Sequence, residues 1–189
     1  QPTSWALDWS ESALSFYRKD TKARFQNSSF YFRDGIGVPM VTSTRINAFL
    51  IQQRMFDQSV VGIFPKRREW MFPLLVILNS PFATKLLKEG INPTANNSAN
   101  YLKKLPLPRV SPPELRRLGA LGRLIVIKRA RGLSTGVEER QADEEVAVLY
   151  QRETPTTTQY TWSALPVSDG DTPLLPCLRE TQRFYGSKQ

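Results

Sequence analysis

Nine consecutive residues from Trp70 to Leu78, WMFPLLVIL, carry no charge and are apolar on nearly every side. A segment with no polar stripe cannot face water along any edge, so it belongs in the interior, as a buried helix or as a central strand. Asn79-Ser80-Pro81 then predicts a fresh helix start. Ser80 can accept the free N–H groups of a first turn, and proline is tolerated there. This second helix is predicted over 81–89, closed by Gly90.

On the N-terminal side, Trp5 to Arg24 reads as a loop, a short helix and a basic exit. Ser29 to Arg33 alternates aromatic and polar groups, which predicts a strand with Phe30 and Phe32 on one face. Asp34-Gly35 reads as a turn. Val38 to Asn47 is rich in β-branched and small hydroxyl residues, and Met55 to Phe64 reads as strand–turn–strand. Lys66, Arg67 and Arg68 follow Pro65 as a basic knot. Beyond Gly90, INPTANNSAN is a polar loop. YLKKLPLP is an extended exit, because residues before proline are pushed away from helix.

Ser111 with Glu114 three residues on predicts a capping box. Leu115, Leu118, Leu121, Leu124 and Ile125 recur at helical spacing, with the helix running to about Arg131 and stopping at Gly132. Thr135 and Glu138 predict a second box. The helix behind it reaches about Gln151, with Ala142, Val146, Leu149 and Tyr150 on one stripe. Two helices joined by a short loop make an antiparallel hairpin. The expected class is α+β: a mixed or antiparallel β-sheet region with a buried helix pair, followed by an α-helical hairpin. The expected divisions are 1–110, 111–152 and an irregular tail, 153–189.

The charge of +9 is unevenly placed. Residues 1–110 hold fifteen Lys/Arg against seven Asp/Glu, whereas residues 111–189 hold eleven against ten. A one-sided basic excess is the electrostatic footprint of a nucleic-acid binder. The absence of histidine excludes Ser-His-Asp and Cys-His catalysis, and one cysteine, Cys177, with no histidine leaves no zinc site. No GxxxxGK[ST] or GxGxxG loop occurs, and the fragment GIG at Gly35 to Gly37 is too short to cradle phosphate. A single cysteine, no visible signal peptide and no apolar run of membrane-spanning length lead to the expectation of a cytoplasmic location and no membrane partner. A first residue other than Met leads to the expectation of a piece of a longer polypeptide.

The fragments FYFRDGI, STRIN, GIFP, LLVILNS, INPT and LKKLPLP occur in that order over roughly residues 25–152, followed by a helical pair containing IKRARGL and DEEVAVLY. This ordered series resembles the target-recognition domain of adenine-N6 DNA methyltransferases, the TaqI-like C-terminal specificity domain. The chain departs from the pattern in continuing its Gly-Ile turn as GVP and in reading ANNSAN in the polar loop. The catalytic Asn/Asp-Pro-Pro-aromatic and glycine-rich cofactor motifs of such enzymes do not occur.

The resemblance implies a non-catalytic, DNA-binding specificity domain of a site-specific methyltransferase or fused restriction-modification enzyme. Its partners would be double-stranded DNA and the catalytic methyltransferase domain of the same polypeptide. No cofactor would bind this chain; S-adenosylmethionine would bind the catalytic domain. A methyltransferase must extrude its base from the duplex, and a second domain clamping the DNA supports that distortion. Phosphate contacts position such a domain and groove contacts specify its site. The candidate residues are Arg33, Thr42, Ser43, Thr44, Arg45 and Asn47 from the first loop-strand. Lys66, Arg67 and Arg68 are candidates for phosphates, and Thr94, Asn96, Asn97 and Ser98 for the polar loop's contacts.

Each has a plainer reading. Arg33 would pair with Asp34, Thr42 to Thr44 would be ordinary strand residues, and Lys66 to Arg68 a solvated turn. Asn92, Asn96 and Asn97 would shape a loop through side-chain-to-backbone bonds. Arg116, Arg117, Arg123, Lys128, Arg129 and Arg131 read as a solvated helix face. Two other functions stand beside the first: a protein-docking module built on the hairpin, and a metal-dependent nuclease using Asp34, Asp57 and Glu69.

Overall fold

A computed structural model describes residues 7–22 and 27–152. The tail from 153 onward, with its scattered prolines, lies outside the described residues, as do 1–6 and 23–26. Two compact units are present, Gln1–Tyr31 and Phe32–Gln189. In the first, Ser10 caps helix α1 (Glu11–Lys19) by accepting from the Ala13 N–H at 3.3 Å. A 3-10 turn follows at Ser28–Phe30.

The second unit is built around the apolar segment, which is helix α2 (Met71–Asn79) with Pro73 through Leu78 buried. Pro73 sits in the first turn, where the N–H groups have no helical partner to lose. A 3-10 turn at Arg68–Trp70 leads into it. Ser80 closes α2 and opens α3 (Pro81–Lys85): its fully buried hydroxyl donates to the Ile77 carbonyl at 2.7 Å and accepts from the Ala83 N–H at 3.1 Å. The chain then widens into π-helical turns over Leu86–Ile91. Gly90 therefore lies inside a helix rather than capping one, and Asn92 ends it.

The sheet has three antiparallel strands in the order β2-β1-β3: β1 (Gly35–Pro39), β2 (Phe49–Ile51) and β3 (Val60–Ile63). The α+β class and the antiparallel sheet stand as expected, but the strands lie elsewhere. Ser29 to Arg33 is not a strand: Phe32 has φ 60° and is exposed, while Phe30 is buried. Asp34-Gly35 is not a turn but the entry to β1. Only Val38 and Pro39 of the 38–47 stretch are in a strand, and Met55 to Phe64 contributes one strand rather than two. The physical reason is glycine. Side chains alternate along a strand, so Ile36, Val38 and Ile63 enter the core while Gly35, Gly37 and Gly62 occupy the outer face. Aromatic rings cover that bare backbone. A Cβ at Gly37 would come within 2.5 Å of the Phe49 ring, and one at Gly62 within 2.7 Å of the Phe64 ring.

The two faces of α2 serve two hydrophobic clusters. Leu74, Leu75 and Leu78 join Ile36, Val38, Ile46 and Ile63 under the sheet, together with Leu87, Leu102 and Leu105. Leu102 comes from the one-turn helix α4 (Ala99–Leu102), which interrupts the extended exit expected there. Val76 and Ile77 join Leu118, Leu121, Val146, Leu149 and Tyr150 from the hairpin of α5 (Pro112–Ala130) and α6 (Gly136–Gln151). Residue 110 thus falls between α4 and α5, inside one compact unit.

The hairpin's caps differ. Glu114 accepts from both the N–H and the hydroxyl of Ser111, at 2.9 and 2.7 Å, and pairs with Arg152. These bonds and that guanidinium hold its carboxyl down at about 2. Gly132 ends α5 at φ 69°, with the Leu133 N–H returning to the Lys128 carbonyl at 2.9 Å. The second capping box does not form: the Thr135 hydroxyl bonds Glu139, and Glu138 is drawn away to Lys128. Leu124 is exposed rather than core, as its position on α5 turns it away from α2 and α6.

Helix α5 lies close against α2 at Gly122, where a Cβ would lie 2.9 Å from the Phe72 carbonyl oxygen and 2.9 Å from Val76. Gly122→Ala is therefore expected to destabilise the unit by about 1–3 kcal/mol in urea denaturation, since a backbone contact cannot yield like a side chain. At Gly119 a Cβ meets only the Pro73 ring at 3.7 Å. Gly119→Ala should be neutral or stabilising by up to ~1 kcal/mol through helix propensity. Equal losses at the two positions would contradict this packing.

Candidate nucleic-acid interface

The polar loop after residue 91 and the loop leaving β1 are distant in sequence but form one surface. Val41 and Asn96 pair as an isolated antiparallel bridge. The Thr42 N–H donates to the Ala95 carbonyl at 2.9 Å, and the Asn97 N–H to the Met40 carbonyl at 2.7 Å. The Asn97 side chain completes the joint: its amide nitrogen donates to the Pro39 carbonyl at 3.1 Å and to the Thr42 hydroxyl at 2.6 Å. Lys88, from the π-helical turns, reaches between the loops. Its ammonium donates to the Asn97 Oδ1 at 2.9 Å, the Thr94 carbonyl at 2.9 Å and the Thr42 carbonyl at 3.2 Å. Burial holds its pKa below the ordinary lysine value, while three oxygens match the three donors of the ammonium.

This joint separates the polar-loop candidates by role. Asn97 is 0 % exposed and its amide is spent inside the protein, so it is a scaffold residue rather than one presented to a partner. Asn92 is also buried; its amide donates to the Asn96 carbonyl at 2.7 Å, and its oxygen accepts from the Thr94 hydroxyl at 3.0 Å. Asn96 accepts the Ser98 N–H at 2.8 Å. The loop-shaping reading of these asparagines therefore holds in the structure. Thr94 and Asn96 remain exposed at the loop's crest, beside exposed Ser43 and Thr44.

Arg45 and Asn47 leave this surface. Arg45 lines a small, mostly apolar cavity of about 190 Å³ with Leu50, Val76, Ile125, Glu139 and Asp143. Burial raises the Asp143 pKa, and the Arg45 charge acts against that rise. Asn47 has φ 55°, a left-handed turn that asparagine tolerates, so a conformational role accounts for it.

The basic set lies at the other end of the sheet. β1 runs from Gly35, beside Phe64, to Pro39, which pairs with Val60. The two regions therefore leave the sheet at opposite ends of β1. At the Gly35 end, the Arg33 guanidinium sits over the Phe64 ring at 5.8 Å. Lys66, Arg67 and Arg68 follow Phe64 and are all exposed. Arg67 pairs with Glu69. Arg67, Arg68 and Glu69 form one wall of a cleft whose other wall is α5, with Arg116, Gly119, Ala120 and Arg123.

The acids considered for nuclease chemistry are not assembled. Asp57 accepts from Ser59 in a turn, and Glu69 holds Arg67. Among the described residues, no group of three or more acids or cysteines is placed to hold a metal ion.

Compared with protein families, curated proteins and solved structures, the chain finds no match in any of the three. No single helix among the described residues is long and apolar enough to cross a membrane.

Sequence reading missed the Lys88 joint and the cleft that α5 forms with the Arg67–Arg68 turn. Lys88 carries no local signal, because its three acceptors lie six to forty-six residues away. Lys88→Met should leave those oxygens without their donor and cost about 1–3 kcal/mol. It should also speed hydrogen exchange at the Thr42 and Asn97 amides. Unchanged exchange at both would show that Lys88 does not hold the loops together.

Proposed function

We propose that this chain is a non-catalytic, sequence-reading DNA-binding domain of a site-specific adenine-N6 DNA methyltransferase or fused restriction-modification enzyme. In this reading it clamps double-stranded DNA for a catalytic domain that binds S-adenosylmethionine. The observation that carries the proposal is the joint of Lys88 and Asn97, which fixes two sequence-distant loops as one preformed crest. A rigid crest of hydroxyl and amide groups suits the reading of base edges, because little ordering entropy remains to be lost on binding. The Ser43 and Thr44 side chains are exposed and have no hydrogen-bond partner among the described residues, so their hydroxyls are free for a groove. Arg33, Lys66 and Arg68 lie toward the opposite end of the sheet. In this reading the crest meets base edges while the basic set meets phosphates.

A docking role for the hairpin is compatible with this and has an observation of its own. Leu124, Ile127, Leu133 and Val137 are all more than 40 % exposed near the hairpin's turn. A patch of this kind suits attachment to the catalytic domain of the same polypeptide.

Ser43→Ala with Thr44→Val tests the crest. Against a selected site and a scrambled duplex, the double variant is expected to lose discrimination by about 1–3 kcal/mol per lost base contact. Its affinity for the scrambled duplex should be unchanged. A uniform loss on both duplexes would remove these residues from base recognition.

A further inference from the structure

We infer that the cleft between the Arg67–Arg68 turn and helix α5 is a groove for successive phosphates of a nucleic-acid backbone. Arg68, Arg116 and Arg123 are its ligands, and this deepens the DNA-binding reading by bringing the hairpin into the contact. Arg116, Gly119, Ala120 and Arg123 fall at i, i+3, i+4 and i+7, so they form one stripe on α5. The two small residues leave the middle of the stripe open, and the cleft there has a volume of about 630 Å³. Its floor includes Phe72, over whose ring the Arg123 guanidinium lies at 4.9 Å. That contact directs a planar, five-donor head group while leaving its edges free for phosphate oxygens.

The charge pattern on α5 supports the assignment. Arg117 pairs with Glu145 at 3.5 Å, Arg129 with Glu139 at 2.8 Å, and Lys128 with Glu138. The acids of α6 thus neutralise one side of α5. Arg116 and Arg123 face the opposite way, toward Arg67 and Arg68, and among the described residues no carboxylate pairs with Arg68, Arg116 or Arg123. Glu69 is the sole acid on the cleft walls and is already held by Arg67. Four guanidiniums around a concave surface repel one another, and a bound polyanion relieves that repulsion. Spaced guanidiniums on two walls suit a chain of phosphates better than a single anion.

The test compares the chain with Arg116→Gln/Arg123→Gln, and with Arg131→Gln/Arg140→Gln as a charge-matched control elsewhere on the hairpin. Binding to a labelled duplex is followed by anisotropy over a salt series, and inorganic polyphosphate serves as a second probe. Circular dichroism verifies folding, and Arg116→Lys/Arg123→Lys supplies a milder variant should the first not fold.

The cleft variant is expected to flatten the log–log salt slope by about 2, near 0.9 per lost phosphate contact, with sequence preference intact. The control should leave the slope within a few tenths of a unit. Polyphosphate binding that is lost only in the cleft variant, without any sequence preference in the parent chain, would support the groove while overturning the specificity reading. An unchanged slope in the cleft variant, equal losses in cleft and control variants, or no binding of either probe by the parent chain would overturn the groove.

Discussion

Helix α2 must be covered on both faces, and the rest of the second unit follows from that. Six consecutive buried residues, Pro73 to Leu78, leave it no edge at which to meet water. The sheet and its loops bury Leu74, Leu75 and Leu78, while the hairpin buries Val76 and Ile77. Its polar ends are used as ties. The Asn79 amide donates at 2.9 Å to the carbonyls of Ala48 and Leu75, fixing the approach to β2, and Ser80 turns the chain into α3. Each buried leucine or isoleucine contributes roughly 1.5–3 kcal/mol. Loss of either covering layer would therefore expose enough apolar surface to unfold a domain of ordinary, marginal stability.

That arrangement also places the polar chemistry. The helix after α2 delivers Lys88 to the space between two loops, where a buried ammonium meets three oxygens. The 3-10 turn before α2 delivers Arg67 and Arg68 to the wall facing α5. One central helix thus connects, through its two ends, a crest of hydroxyls and amides with a cleft of guanidiniums. The crest is low in net charge and the cleft is nearly unneutralised. On the proposed reading, the crest would read bases and the cleft would hold phosphates.

The two hairpin helices were legible in the sequence because their main signals are local, whereas the one-turn α4 was not. Ser111 with Glu114, Gly132 after Lys128, and the stripe of Ala142, Val146, Leu149 and Tyr150 all act within a few residues. The strands were not legible. Their outer positions are Gly35, Gly37 and Gly62, and the apolar cover comes from Phe49 and Phe64 on neighbouring segments. A period-of-two pattern cannot register side chains that belong to other strands. Of the candidate residues, those of the two loops are brought together by the fold although they are far apart in sequence. The burial of Asn97 and the turning of Arg45 toward α6 depend on contacts with residues far along the chain. Arg116 and Arg123 were visible as residues seven apart, but what faces them is nearly fifty residues earlier, so the sequence read them as a solvated surface.

Selection from a randomised duplex DNA pool at two salt concentrations tests the central claim most directly. The account predicts enrichment of a short motif, with affinity falling steeply as salt rises. Recovery of a pool with no enriched motif would contradict a sequence-reading crest and reduce the chain to a backbone clamp. Failure to retain any duplex at the lower salt would contradict the account as a whole.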